Sequence, residues 1–234
     1  MYLYRIVNPA ASIHQIWLRI LGIWKNGANS SNFLDNLPAL LYQAMTSKKN
    51  IFVIIGSASS NSSNEKLIEH FSVITREYFT LRVFKDLKSL PHFDPRLSVD
   101  NTPLPVMEFR ENIEKADGIL ICTPEYVFSI PSGLKNAIEW CIATTIFSDK
   151  ALGIITASAN GEMGHKELQL IMKTVMARFT PETTLLIQGI KGKINEQGEI
   201  LDDVTTDDVR KLANAFKTLL DNQKNTSEIL SSSQ

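Results

Sequence analysis

Residues 116–140 constrain the fold most, because a buried strand, a polar turn and an amphipathic helix follow one another there without a gap. The apolar run from Gly118 to Cys122 is typical of a strand buried on both faces of a parallel sheet. Pro124 follows this strand and ends it, since proline has no N–H group for the sheet ladder. Beyond Pro131 the apolar residues recur at helical spacing, namely Leu134, Ile138 and Cys141. The stretch predicts a strand–turn–helix unit, with its helix over residues 132–144.

The same alternation of apolar runs and helical patterns extends over most of the chain. Strands are predicted over residues 51–56, 81–87, 118–122, 151–157 and 184–188, and the last two helices over residues 166–178 and 206–220. Such alternation predicts an α/β fold with a doubly wound, five-stranded parallel sheet and helices on both faces. The apolar content of 44% is ample for one hydrophobic core.

A loop rich in hydroxyl groups, GSASSNSSNEKL, follows the first predicted strand at residues 56–67. Ser62 and Glu65 have the spacing of a capping box, which predicts that a helix begins there. A helix N-terminus surrounded by serine hydroxyls can bind an anion, because its free amides and its dipole both favour negative charge. The loop contains neither GxGxxG nor GxxxxGK[ST], which argues against a dinucleotide or Walker site. A serine-rich turn by itself is more often only a turn, so the residues leave both interpretations open.

Another polar loop, SANGEMG, follows the fourth predicted strand at residues 158–164. Glycine in this loop lets the backbone approach a flat ligand closely, although an ordinary strand-to-helix loop is the alternative. Open α/β sheets bind ligands outside the carboxyl ends of their strands. We therefore expect the loops after strands one, three and four to form one site.

The sequence TPEYVFSIPSGLKNAIEW, residues 123–140, resembles the motif T-P-E-Y-N-x-S-x-P-G-x-L-K-N-A-I-D-W of the NAD(P)H-dependent FMN reductase family. The resemblance implies a flavodoxin-like fold with strand order 2-1-3-4-5, and FMN and NAD(P)H as cofactors. It also implies hydride transfer from the nicotinamide to flavin N5 and then to a small-molecule electron acceptor, by a ping-pong mechanism. Reduced flavin carries this chemistry, so no catalytic side chain is expected.

The resemblance further implies which residues hold FMN. The family binds the phosphate with a loop close to G-S-x-R-x-x-S-x-N, and the matching residues are Gly56, Ser57, Ser62 and Asn64. The predicted FMN-binding residues are Ser57, Ser59, Ser62, Ser63 and Asn64 at the phosphate, Pro124, Glu125, Tyr126 and Val127 at the polar edge of the ring, and Ser158, Ala159, Asn160 and Gly161 beside the ring. Tyr126 either stacks on the ring or anchors its turn as a core aromatic.

The chain departs from the family motifs at two positions and resembles the family in one further segment. Ser59 stands where the family commonly has arginine, and Val127 replaces a common asparagine. Because the serine removes one cationic partner of the phosphate, we expect weaker FMN binding, and Ser59→Arg should tighten it; a titration showing flat or falling affinity would contradict this placement of the phosphate. The segment LPHFDP at residues 90–95 also resembles the family and can bring His92 and Phe93 towards the site, although an isolated loop histidine is more often solvated.

Composition excludes several other classes of protein. The net charge of −1 gives no electrostatic reason to bind nucleic acid or an acidic membrane. Cys122 and Cys141 both fall in segments predicted to be buried, which is typical of a reducing compartment and favours small core residues over redox partners. Four scattered histidines without HExxH or CxxC predict no metal site. We expect a cytoplasmic protein.

Residues 1–44 do not share the α/β pattern, and the predicted domain spans residues 45–222, followed by a disordered tail over 223–234. The first interpretation is that the physiological start is Met45, since MTSKKNIFVIIGSA begins as compact members of the family do. The second is an organelle-targeting peptide, suggested by the absence of acidic residues before Asp35. The third is a helix that docks on a partner. We expect this extension to be poorly ordered or loosely docked.

Other functions fit parts of the same pattern. The same fold could reduce quinones, azo dyes or metal oxyanions with tightly held FMN. A flavodoxin-like electron carrier is a second possibility, but carriers of this kind are usually strongly acidic for docking. A flavin-free binding module is a third, and the serine at position 59 favours it. The helix at 132–144 is expected to form a homodimer or homotetramer through Ile138, Trp140 and Ile142.

Overall fold

The computed structural model describes the backbone of residues 48–231 and the side chains of residues 48–222. In this described part of the chain, five strands form one sheet in the order β2-β1-β3-β4-β5, and every pairing is parallel. The strands are β1 (Lys49–Ile55), β2 (Phe79–Phe84), β3 (Gly118–Thr123), β4 (Ala151–Ser158) and β5 (Thr184–Gln188). The α/β flavodoxin-like fold and its strand order are confirmed. β3 is buried at every position, as its continuous apolar sequence predicts.

Within residues 48–231, five α-helices cover the two faces of the sheet. They are α1 (Ser63–Thr75), α2 (Leu104–Lys115), α3 (Ser132–Glu139), α4 (Glu162–Thr174) and α5 (Asp203–Ser231). One hydrophobic cluster contains Phe71 of α1 and Phe216 of α5, and the other contains Phe109 of α2, Leu134 of α3 and Leu168 of α4. Helices α1 and α5 therefore pack on one face, and the other three pack on the opposite face.

Several element boundaries differ from the sequence expectations. Strand β2 covers Phe79–Phe84 instead of 81–87, and α4 begins at Glu162 instead of residue 166, directly after Gly161 in a left-handed conformation. Helix α5 begins at Asp203 because Asp202 caps it: the Thr205 backbone N–H donates to Asp202 Oδ1 at 2.8 Å. It extends past the predicted end at residue 220 to Ser231. Residues 1–44 lie outside the described part of the chain, so the expectations about them stay predictions.

The predicted helix over 132–144 is shorter than expected, and fewer of its apolar residues are exposed. It ends at Glu139, and Trp140 at its C-cap is buried and donates its indole N–H to the Pro91 carbonyl at 2.7 Å. Ile138 is also buried, whereas Ile142 is 56% exposed. Of the three residues expected at a subunit interface, Ile138 and Trp140 thus belong to the core.

Both cysteines are free and buried, as predicted for small core residues. Burial raises the pKa of the Cys122 thiol above its usual range and that of Cys141 to about 12, so both thiols stay protonated. Among the described side chains of residues 48–222, no group of histidine, cysteine and acidic residues could hold a metal ion. No helix in that part of the chain is long and apolar enough to cross a membrane.

Candidate active site

The loops after β1, β3 and β4 meet at the carboxyl edge of the sheet. Strand register places Ile55 beside Cys122 and Thr123 beside Thr156, so the three strands end at neighbouring points. Asn64 Nδ2 at the end of the first loop donates to the Ala157 carbonyl of β4 at 3.1 Å. Ser158 Oγ donates to the Glu125 carbonyl of the second loop at 3.4 Å. The first bond thus joins the start of α1 to β4, and the second joins the end of β4 to the loop after β3.

Residues 57–63, here called the serine loop, expose neutral polar groups. Ala58, Ser59 and Ser60 are exposed, and Ser57 Oγ accepts a hydrogen bond from the Ser59 backbone N–H at 3.3 Å. Ser62 caps α1 by accepting from the Glu65 backbone N–H at 3.2 Å, as the capping box predicts. In a capping box the Glu65 side chain would accept from the backbone N–H of Ser62. Here Glu65 Oε2 accepts instead from the Asn61 N–H, at 2.7 Å. Ser63 is half-buried and begins the helix.

Asn64 is buried, and its side chain makes hydrogen bonds inside the protein. Its Nδ2 group donates to the Ala157 carbonyl of β4, and its Oδ1 atom lies 3.3 Å from the Cys122 thiol, which donates to it. These bonds fix the start of α1 against the sheet. Gly56 is required at the entrance to the loop, since a Cβ atom there would lie 2.2 Å from Thr123 Oγ1.

Residues 124–130, here called the β3 turn, form a tight hairpin-like turn. The Tyr126 N–H donates to the Ser129 carbonyl at 2.9 Å, and the Ser129 N–H donates back to Tyr126 at 3.0 Å. The two central residues, Val127 and Phe128, have φ angles of 52° and 59°. Positive φ at both positions is the pattern of a type I′ turn, which is strained for a β-branched residue such as Val127. Pro124 is buried, Tyr126 is 39% exposed, and Val127 is 94% exposed.

Two glutamates fasten the β3 turn to α4. Glu125 Oε2 accepts from the Gly164 N–H in the first turn of α4 at 2.8 Å, where the helix dipole favours a carboxylate. Glu167 Oε2 accepts from Ser129 Oγ at 2.6 Å and from the Ile130 N–H at 3.1 Å. Glu167 was not among the predicted site residues, because no local pattern distinguishes it from other glutamates on a helix surface. The structure thus shows a turn held rigidly from both ends.

The loop after β4 is short because α4 begins at once. Ser158 is half-buried, whereas Ala159 and Asn160 are exposed, and Asn160 Oδ1 accepts from Gln188 Nε2 at 2.7 Å. Gly161 has a φ of 86°, and a Cβ atom there would lie 2.9 Å from a methyl group of Leu186. Both facts require glycine at this position.

An open cleft of about 720 Å³ begins beside the serine loop and runs along α3. Such a volume is in the range of ligand sites in proteins. Its lining includes Ser57 and Tyr126 from the predicted site, and His92 and Phe93 from the loop after β2. Residues 158–161 do not line it. The cleft therefore adjoins the serine loop and the β3 turn but leaves the third predicted loop outside.

Lysine side chains supply positive charge that the sequence analysis missed. Lys85 directly follows β2 and forms an ion pair with Glu65, and this bond lowers the pKa of the Glu65 carboxyl. Lys85 and Lys88 both line the cleft. Because β2 is the neighbour of β1 in the sheet, the end of β2 lies beside the serine loop. Knowing that β2 pairs with β1 would have been enough to predict that Lys85 lies near the serine loop.

Comparison with known proteins gives a family match and similar relatives. The family described as NADPH-dependent FMN reductase matches residues 49–190, which include all three loops. An NAD(P)H-dependent FMN reductase of Pseudomonas aeruginosa is 30% identical over 158 residues, covering 64% of this chain and 83% of that protein. A quinone reductase of Escherichia coli is 26% identical over 182 residues, covering 74% of this chain and 95% of that protein.

A solved structure with the same fold is the flavoenzyme NAD(P)H:(acceptor) oxidoreductase FerB from Paracoccus denitrificans. It superimposes with a TM-score of 0.65 at 24% identity, and the match covers 75% of this chain and 98% of that one. At this identity the likeness concerns the fold alone. It covers nearly the whole of the other protein.

Proposed function

Because the chain belongs to the NADPH-dependent FMN reductase family, we propose that it reduces a small-molecule acceptor of the quinone class. It is an oxidoreductase that depends on FMN and NAD(P)H, as its family is. The acceptor and the order of the reaction are our proposals. The observation that carries them is the convergence of the serine loop, the β3 turn and the loop after β4 at one edge of the sheet.

The groups present suit an FMN molecule at this edge. The serine loop offers hydroxyls and the N-terminus of α1 to a phosphate, and it contains no carboxylate of its own. The β3 turn is fixed by Glu125 and Glu167, so its backbone can present hydrogen-bonding groups without reorganising. Bound FMN supplies the redox chemistry, in which hydride passes from NAD(P)H to the flavin and then to the acceptor in two alternating half-reactions.

Among the predicted site residues, we assign different roles to the serines of the serine loop and to the residues that join elements. Ser57 and Ser62 accept hydrogen bonds within the loop and its cap but keep their hydroxyl donors, so Ser57, Ser59, Ser62 and Ser63 are the candidates for the phosphate. Asn64 and Glu125 position the loops through their internal hydrogen bonds. No side chain of the site is assigned to proton transfer, since a hydride acceptor that is protonated by water requires none.

The cleft favours a flat, partly apolar acceptor. Phe93 packs edge-on against Trp140, with ring centroids 5.3 Å apart, and Tyr126 is partly exposed at the same cleft. Aromatic walls of this kind bind flat rings by stacking. The quinone reductase of Escherichia coli among the relatives agrees with an acceptor of this class. We also propose a cytoplasmic location and a homo-oligomer in which the exposed Ile142, next to α3, contributes to the interface.

Reduction of bound flavin tests the proposal directly. The purified chain is mixed with FMN and then with NADPH in the absence of oxygen, and the visible absorbance of oxidised flavin is followed. Bleaching by NADPH, followed by recovery of the colour when a benzoquinone is added, is the expected result. Bound flavin that NADPH does not bleach would indicate an electron carrier, and a chain that binds no flavin would refute the proposed function.

Steady-state kinetics test the order of the reaction. Varying NADPH at several fixed quinone concentrations should give parallel double-reciprocal lines, because both substrates react in turn at one site. Intersecting lines would show a complex of both substrates and would contradict a shared site.

A further inference from the structure

We propose that Lys85 supplies the positive charge for the FMN phosphate bound at the serine loop, an inference that rests on the proposed function. The serine loop itself contains only neutral side chains. A phosphate dianion binds strongly where a cation adds charge-assisted hydrogen bonds. The cation must then come from another element, and the sheet brings the end of β2 next to the end of β1.

Lys85 is held beside the loop by one carboxylate. Glu65 accepts from the Lys85 ammonium group with Oε1 and from the Asn61 backbone N–H with Oε2, so it connects the lysine to the loop backbone. The Glu65 side chain is 12% exposed, whereas that of Lys85 is 67% exposed. The ammonium group is thus fixed on one side and open to solvent on the other. Since an ammonium group has three donors, Lys85 can keep Glu65 and still donate to a phosphate.

Lys85 also shares the cleft with the loop. Ser57, Ala58 and Lys85 line the same open volume, so the lysine and the start of the loop face one cleft. Lys88 lines that cleft too, and none of the hydrogen bonds or ion pairs found among the described side chains involves it. The two lysines therefore form a matched pair: each carries one positive charge at the same cleft, but only Lys85 is connected to the serine loop.

Flavin titrations of the full chain test the assignment. Wild type, Lys85→Met and Lys88→Met are titrated with FMN and with riboflavin, which lacks the phosphate, and quenching of flavin fluorescence gives the Kd. Lys85→Met should raise the Kd for FMN about tenfold or more and leave riboflavin within about twofold. Lys88→Met should change the Kd for FMN by less than about threefold, because Lys88 is exposed, so solvent screens its charge, and no hydrogen bond connects it to the serine loop. Equal weakening by both variants, or a parallel loss of riboflavin binding, would overturn the proposal.

A second set of variants tests whether Lys85 contacts the phosphate or only neutralises the charge of Glu65. Glu65→Gln keeps an oxygen for the Asn61 N–H but removes the negative charge beside the phosphate. If Lys85 contacts the phosphate, adding Lys85→Met to this variant should still weaken FMN binding by about fivefold or more. If the double variant binds FMN as tightly as Glu65→Gln does, Lys85 serves only to neutralise Glu65 and the proposal is wrong.

A last experiment tests whether Lys85 binds NADPH instead of FMN, since NADPH also carries a phosphate monoester. The ratio of KM for NADPH to KM for NADH should be the same in wild type and Lys85→Met. A rise in that ratio would assign Lys85 to the 2′-phosphate of NADPH and overturn the assignment to FMN. Wild type that binds FMN and riboflavin equally would also overturn it while leaving the flavin site intact, whereas wild type that binds neither would refute the proposed function itself.

Discussion

The serine loop and the β3 turn lie at the same edge of the sheet but are stabilised in different ways. In the serine loop, Ala58, Ser59 and Ser60 are exposed, and the contacts that hold it lie at its ends, at Gly56 and in the cap of α1. In the β3 turn, two strained residues are held in place by Glu125 and Glu167 from both ends. A loop with free hydroxyls suits an anion that brings its own charge, whereas a fixed turn suits a ring that must be oriented. Each region can be altered separately.

The largest expected effect comes from Gly56, where the serine loop leaves β1. Gly56→Ala would place a Cβ atom 2.2 Å from Thr123 Oγ1 and 2.6 Å from Thr123 Cβ, both in the neighbouring strand. Because backbone and strand must shift, we expect a loss of about 3 kcal/mol in the free energy of unfolding. Urea denaturation measures it. Gly192→Ala is the matched control, since no atom lies within 4 Å of a Cβ there, and an equal loss in both variants would refute the steric argument.

Glu167 tests the anchoring of the β3 turn. Glu167→Ala leaves Ser129 Oγ and the Ile130 N–H without their acceptor, and we expect it to cost about 2 kcal/mol of unfolding free energy. Riboflavin and FMN should lose affinity together, because the proposed role of the turn is to orient the ring, which both flavins share. The control on the same helix is Glu162→Ala, which removes only an exposed pair with Lys166 and should change stability little. Loss of FMN binding alone would contradict the division between the two regions.

Replacing Val127 should have the opposite effect, a gain in stability. Its φ of 52° is costly for a β-branched residue, and its side chain is 94% exposed, so it gains little from packing. Val127→Asn should raise the free energy of unfolding by about 1 kcal/mol, because asparagine tolerates the left-handed conformation. Thermal unfolding would detect the change. Val99→Asn, at another exposed valine without a positive φ, should show no gain.

The smallest expected effect is a pH dependence carried by His165 on α4. Burial lowers the pKa of His165 below its ordinary value of 6.5, and its Nδ1 atom lies 2.8 Å from Thr156 Oγ1. The folded state therefore binds a proton less readily than the unfolded state. Stability should be fully present above pH ~6.5 and should fall as the pH is lowered through that value towards the depressed pKa.

Unfolding curves measured at several pH values check this prediction. His165→Asn should make the fall of stability with decreasing pH less steep. Burial also lowers the pKa of His70. The pH dependence that remains in His165→Asn should therefore become weaker still in the double variant with His70→Asn. A slope that neither substitution changes would assign the acid sensitivity to other groups.

The sequence by itself determined the architecture and the three loops. Buried parallel strands are continuous apolar runs, so β1, β3 and β4 could be recognised from local composition alone. Caps and turns are also local, and Ser62 was correctly predicted at the start of α1. The strand order came from the resemblance of residues 123–140 to a known family. Composition alone would have left it open.

Tertiary structure decided which side chains hold the loops together. The bonds from Lys85 to Glu65, from Gly164 to Glu125 and from Ser129 to Glu167 join residues 20, 39 and 38 positions apart. Periodicity reports only neighbours within a few turns of a helix or positions along one strand, so it contains no information about such pairs. For the same reason the sequence could not show that Asn64 and Trp140 are buried and engaged internally, because a polar or aromatic residue at an element boundary can face either way.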